Sequence, residues 1–208
     1  MNCEISTNDC LDGLALLIPI TGCNLKCKFC YNSQLWDKKT DKLVLKKVIS
    51  RAIENGIINF VFGGNNPIGE NYLITKMLIK HIRGYSKVLK SKSNIELQIG
   101  SLNGRDLNII NYLAPDKLSI TINSFDNNQF NNISKLEFPY RLKEIFINDE
   151  LTLYPPVDID EVVQFQPKNA YDKEYQKFDQ PTCKQVYNYT KSIKAKAFFT
   201  IDRGLQIL

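Results

Sequence analysis

Three thiols set close together are the first chemistry that the sequence offers. They stand as Cys23-Asn-Leu-Lys-Cys27-Lys-Phe-Cys30, separated by three and then two residues. A loop with this spacing wraps around one centre and brings three soft donors to it, which serves a metal ion or an iron–sulfur cluster. Structural zinc usually takes four protein ligands, commonly as paired C-x2-C units. The single histidine, His81, falls inside a helical pattern far from this loop. A disulfide does not suit three thiols in a reducing compartment. A four-iron cube held by three cysteines leaves one iron open to a substrate or cofactor. Cys3, Cys10 and Cys183 are widely separated and form no C-x2-C pair, so a second cluster is not expected. Cys183 follows Pro181-Thr182 and is a candidate thiol hydrogen donor, beside the plainer reading of a partly buried thiol.

A second feature is Phe60-Val-Phe-Gly63-Gly64-Asn65-Asn66-Pro67. Paired glycines at the end of an apolar run let the backbone approach a ligand closely. An ordinary strand-ending turn would use the same residues.

These residues need elements to position them. Short, nearly continuous apolar runs at Leu14–Ile20, Asn59–Phe62, Ile95–Ile99, Lys117–Ile122, Glu144–Ile147 and Glu161–Phe165 predict strands buried on both faces. Helical periods lie between them at Asp41–Glu54, with Asp41 as cap and Gly56 beyond its end, at Asn71–Ile82, and at Arg105–Leu113 before Pro115. The Asn-rich stretch Phe125–Pro139 reads as a short helix plus loop. The alternation predicts an α/β fold of right-handed βαβ units. Six strands are too few for a closed eight-stranded barrel, so an open, curved sheet is expected. Ala195–Ile201 and Leu205–Leu208 are expected to pair as a hairpin around Asp202–Gly204. The expected organisation is an extension over 1–13, a core over 14–167, and a tail over 168–208 packed on that core.

Composition narrows the function classes. The chain has 208 residues, 27 Lys+Arg against 22 Asp+Glu, and 43% hydrophobic residues, which excludes a disordered or collagen-like polymer. Its longest apolar run, Leu14 to Ile20, is too short for a membrane span and contains Pro19. No secretory signal pattern opens the chain, and a soluble cytoplasmic protein is expected. The net charge of +5 gathers at Lys38, Lys39, Lys42, Lys46 and Lys47 and again at Lys87, Lys90 and Lys92, beside helical segments. Solvated helix faces explain these groups, and a nucleic-acid partner is not expected.

The C-x3-C-x2-C loop, with Phe29 before the last cysteine and its place after the first strand, resembles the radical S-adenosylmethionine superfamily. The Gly63-Gly64 run is similar to that family's Gly-Gly-Glu-Pro-like motif, although Asn65 stands for Glu and Asn66 is inserted before Pro67. The resemblance implies a partial (βα)6 barrel. It implies a [4Fe–4S] cluster on Cys23, Cys27 and Cys30, and S-adenosylmethionine chelated to the open iron. Reductive cleavage of that cofactor would give a 5′-deoxyadenosyl radical, which takes a hydrogen atom from the substrate. Cofactor or substrate contacts are expected at Phe29, Gly63, Gly64 and Asn65. Further contacts are expected at the later strand ends, at Gln98, Ser101, Asn123, Ser124, Asn148, and Gln164 or Gln166. The compact size and the stretch Cys30-Tyr-Asn-Ser-Gln-Leu-Trp36 resemble the activating enzymes of glycyl-radical proteins and anaerobic ribonucleotide reductase. That implies a protein or peptide substrate and a flavodoxin- or ferredoxin-like electron donor. Three alternatives stand beside it: a compact enzyme acting on a purine or pterin precursor, similar to 7-carboxy-7-deazaguanine synthase; a peptide-modifying maturase; and a non-enzymatic iron–sulfur or zinc-binding regulator.

Overall fold

The structure is a computed structural model that describes residues 3–6, 13–27, 30, 33–100, 104–121, 151–154, 196–201 and 204–207. Its strands are β1 (Glu4–Ser6), β2 (Ala15–Pro19), β3 (Asn59–Gly63), β4 (Asn94–Ile99), β5 (Lys117–Thr121), β6 (Leu151–Tyr154), β7 (Lys196–Ile201) and β8 (Gly204–Ile207). Helices α1 (Lys42–Glu54), α2 (Tyr72–Val88) and α3 (Gly104–Leu113) cross between β2, β3, β4 and β5. Among the described residues the strands form one sheet in chain order. From β2 to β7 each neighbouring pair is parallel. The first and last strands, β1 and β8, pair antiparallel with β2 and β7. This is the expected α/β partial barrel.

The two faces of the sheet follow from the period of two in a strand. Leu16, Ile18, Phe60, Phe62, Ile95, Leu97, Ile99 and Leu118 meet Leu45, Ile49, Leu78, Ile79, Ile82 and Leu113 in one core beneath the helices. Burying each such side chain contributes about 1.5–3 kcal/mol against leaving it exposed. Alternate positions lie on the other face. There Ala15, Leu17 and Val61 make a small apolar patch. Glu96, Gln98 and Ser119 stand on this face as well, and the buried Ser119 hydroxyl donates to the buried Glu96 carboxylate. Lower on it, Asn94 Nδ2 donates to Asn59 Oδ1 (2.8 Å) and Asn59 Nδ2 to the Leu14 carbonyl (3.1 Å).

Helix ends explain where the sequence reading held and where it fell short. Asp41 caps α1 as expected, its Oδ1 accepting from the backbone N–H groups of Leu43 (3.0 Å) and Val44 (3.1 Å). The Ile57 N–H reaches back to the Ala52 carbonyl across Gly56 at φ +83°, a Schellman closure. The second helix extends past Ile82, where its pattern was expected to stop, as far as Val88. Its apolar stripe is interrupted by Gly84 and Ser86, and Ser86 is buried. The same closure then ends it, with Ser91 N–H to the Ser86 carbonyl (2.9 Å), around Lys90 at φ +55°. Lysine in place of glycine hid that stop.

The strand paired with β5 is Leu151–Tyr154 rather than the Glu144–Ile147 run expected in that place. The parallel set continues through β7, and the expected C-terminal hairpin forms as β7 against β8, with Phe198 opposite Ile207. The runs Glu144–Ile147 and Glu161–Phe165 and the stretch Phe125–Pro139 lie outside the described residues. Strand β1, with partly buried Cys3 just before it, was not expected from the sequence. No helix among the described residues is long and apolar enough to cross a membrane.

Candidate active site

The cysteine loop leaves the carboxyl end of β2 and is closed on itself. Gly22 N–H donates to the Leu35 carbonyl (3.3 Å), joining the start of the loop to the short 3-10 turn Ser33–Leu35 beyond the last cysteine. Gly22 has φ +82°, and a Cβ there would stand 2.3 Å from Asn71 Nδ2, so both conformation and space call for glycine. Within this ring Cys23, Leu25 and Cys27 form a small buried cluster, with Cys30 and Trp36 packed against it. It is separate from the main core.

The three thiols are electrostatic neighbours. Burial pushes the Cys27 thiol up to about 12, Cys23 and Cys30 beside it add to the rise, and a backbone hydrogen bond opposes it. Desolvation of the thiolate is the leading cause. Among the described residues no three His, Cys, Asp or Glu side chains converge closely enough to hold a single metal ion. Three thiols gathered on one loop are a donor set that an iron–sulfur cube accepts, each cysteine binding a different iron.

The glycine loop lies directly alongside. Asn66 Nδ2 donates to Asn24 Oδ1 (2.8 Å), and Asn24 follows the first cysteine of the loop. Asn71 stands at the N-cap position of α2 without capping it; instead its Nδ2 donates to the Thr21 carbonyl (2.6 Å). A third tie is buried, where Thr40 Oγ1 accepts from the Thr21 N–H (3.1 Å) and lies 2.6 Å from Thr21 Oγ1. Gly63 is covered by Gln98, since a Cβ on Gly63 would come within 2.4 Å of Gln98 Oε1. Gly64 follows at φ +76°.

Several buried polar atoms here have no partner: both ends of the Asn65 carboxamide, Asn66 Oδ1 and the Trp36 indole Nε1. Each such group costs about 1–3 kcal/mol when left unpaired. Asn65 is only 8% exposed, so a polar ligand is the natural partner for it.

The structure thus brings Cys23, Cys27, Cys30, Gly63, Gly64, Asn65 and Gln98 to one end of the sheet. Phe29, Ser101, Asn123, Ser124, Asn148, Gln164, Gln166, Cys10 and Cys183 lie outside the described residues. The sequence reading missed Asn24, Asn66 and Asn71 as ties between the two loops, and Thr21 with Thr40. The inserted Asn66 was the one signal for them. It also missed the buried Glu96–Ser119 pair, because an isolated Glu in a strand carries no mark of the face it occupies. His81 is no ligand here, its Nε2 lying 2.9 Å from Ser50 Oγ between α1 and α2.

The Radical SAM superfamily model matches residues 17–162 of the chain. The chain belongs to that superfamily. Its cofactors are accordingly a [4Fe–4S] cluster and S-adenosylmethionine. When bound, they supply one-electron reductive cleavage of a sulfonium and, from it, hydrogen-atom abstraction. Among solved structures the chain is similar in fold to SuiB of Streptococcus suis, at 12% identity and a TM-score of 0.50, over 92% of this chain and 41% of that one. It also matches anSMEcpe, solved with AdoMet and the Cp18Cys peptide, at 16% identity and a TM-score of 0.45, over 86% of this chain and 60% of that one. The chain spans less than two thirds of either protein. A search of curated proteins gives no match.

Proposed function

We propose that Cys23, Cys27 and Cys30 carry the cluster and that the enzyme abstracts a hydrogen atom from a protein or peptide, in the manner of an activase. The carrying observation is the tie between two loops: Asn66 to Asn24 and Asn71 to Thr21 hold the cysteine loop beside Gly63 and Gly64. In this reading the Gly63–Gly64 backbone receives the methionine end of S-adenosylmethionine. Asn65, unlike a glutamate, has both donor and acceptor atoms to offer its ammonium and carboxylate groups. Gln98 closes over the same place. The acceptance of a chain as substrate is supported by the linear strand order, in which β1 and β8 stand at opposite ends of the sheet. A sheet open in this way among the described residues would admit a loop from the side, whereas a sealed pocket would suit a small metabolite. A flavodoxin- or ferredoxin-like donor is proposed as the electron source, and exposed Lys42 and Lys47 on α1 give an acidic donor a complementary surface.

Anaerobic reconstitution tests the cluster assignment. The wild-type chain is expected to hold four irons with a matching Mössbauer spectrum and the triple Cys→Ala variant none; a four-iron cluster in that variant would overturn it. Deuterated substrates test the second part. Deuterium is expected in 5′-deoxyadenosine from a labelled protein or peptide, and transfer only from a purine or pterin precursor would replace this reading with the small-molecule one.

A further inference from the structure

We propose that the indole N–H of Trp36 donates to a sulfur of the bound cluster and raises its reduction potential. Trp36 Nε1 is shut off from solvent and has no hydrogen-bond partner. Trp36 packs against the cluster formed by Cys23, Leu25 and Cys27, as Cys30 does. A tryptophan N–H only donates, and buried donors rarely go without an acceptor. Among the described residues, the side chains of this cluster are a leucine and thiols, which are poor acceptors. A bound cluster adds electron-rich sulfides and converts the thiols to thiolates.

Backbone bonds at the loop's closure fix the main chain that carries the ring. Trp36 N–H donates to the Ser33 carbonyl (3.2 Å), and the preceding residue, Leu35, accepts from Gly22. Hydrogen bonds to cluster sulfurs favour the reduced, more negative state and are among the controls on its potential. Trp36 is thus placed to tune the electron transfer that precedes cofactor cleavage. The inference rests on the cluster assignment to Cys23, Cys27 and Cys30, and it is independent of the substrate class.

The chain contains a single tryptophan, so a label on the indole nitrogen reports from one site. The full chain, grown with 15N-indole tryptophan, is reconstituted anaerobically, assayed for iron, reduced with dithionite and measured by pulsed EPR. A 15N hyperfine coupling accompanied by an exchangeable proton is expected. Trp36→Phe is expected to keep four irons, lose the coupling and shift the midpoint potential to a more negative value. A fully loaded wild-type protein with no 15N coupling overturns the proposal, as does a loaded Phe variant with an unchanged potential. If the Phe variant does not take up iron, the labelled wild-type spectrum decides alone. A wild-type chain that forms no cluster overturns the cluster assignment itself, which the iron assay separates from the other outcomes.

Discussion

Asn65 and Asn66 stand where related motifs carry a single glutamate, and the two neighbours divide the work. Asn66 turns to the cysteine loop and binds Asn24, while the Asn65 carboxamide stays buried with neither end paired. The polarity of the site is therefore amide-like at this point rather than anionic. Beside it, Gly63 is required by crowding: a methyl group there collides with the end of Gln98, a flexible side chain that must then swing aside. Gly63→Ala is expected to weaken S-adenosylmethionine binding roughly tenfold, about 1.4 kcal/mol, with iron content unchanged. Gln98→Ala is expected to weaken it too, and the double variant to lose less than the sum, because one displaced contact is counted in both. Calorimetric titration of all four proteins checks this, and additive losses would show that Gln98 does not mediate the effect.

At the scale of elements, stability and site geometry meet at the ends of helices. Lys90 closes α2 in the left-handed region, a conformation that costs a non-glycine residue about 1–2 kcal/mol. Lys90→Gly is expected to stabilise the protein by about 1 kcal/mol, raising the melting temperature by roughly 2–4 °C for a chain of this size. Asn66→Ala works in the opposite sense. It leaves Asn24 Oδ1 without its donor and is expected to cost about 1 kcal/mol, and to lower iron retention during dilution below that of the wild type, followed by absorbance of the cluster. Asn66→Asp keeps the shape but loses the donor, so it should behave like the alanine variant. Strands β2 to β5 were legible because their apolar runs line a core shared with amphipathic helices. The Leu151–Tyr154 strand was not, since two short apolar runs lie close together and pattern alone does not arbitrate between them. The three cysteines were legible as a local spacing. Asn24 and Asn66 were not, because their bond joins residues far apart in the sequence and exists only once β2 and β3 are side by side.

On the scale of the whole molecule, the main core and the cysteine pocket are separate bodies of packing. The first is built from strands β2 to β5 and their helices, the second from Cys23, Leu25 and Cys27 with Cys30 and Trp36. Removing the cluster is therefore expected to act locally. Hydrogen exchange after anaerobic chelation of the iron should speed up over residues 22–36 and remain unchanged in α1, α2 and β3. Acceleration spread evenly through α1 and α2 would show instead that the cluster props up the entire fold. The ties that hold the loop have a further consequence. Gly22 to Leu35, Thr21 to Thr40, Asn24 to Asn66 and Thr21 to Asn71 all fall between residues 21 and 71. As the chain emerges from the ribosome, these ties around the proposed cluster site can form once the start of α2 is available, with most of the sheet still unmade. Selection can then rewrite the later strands for a new substrate without disturbing the part that handles iron.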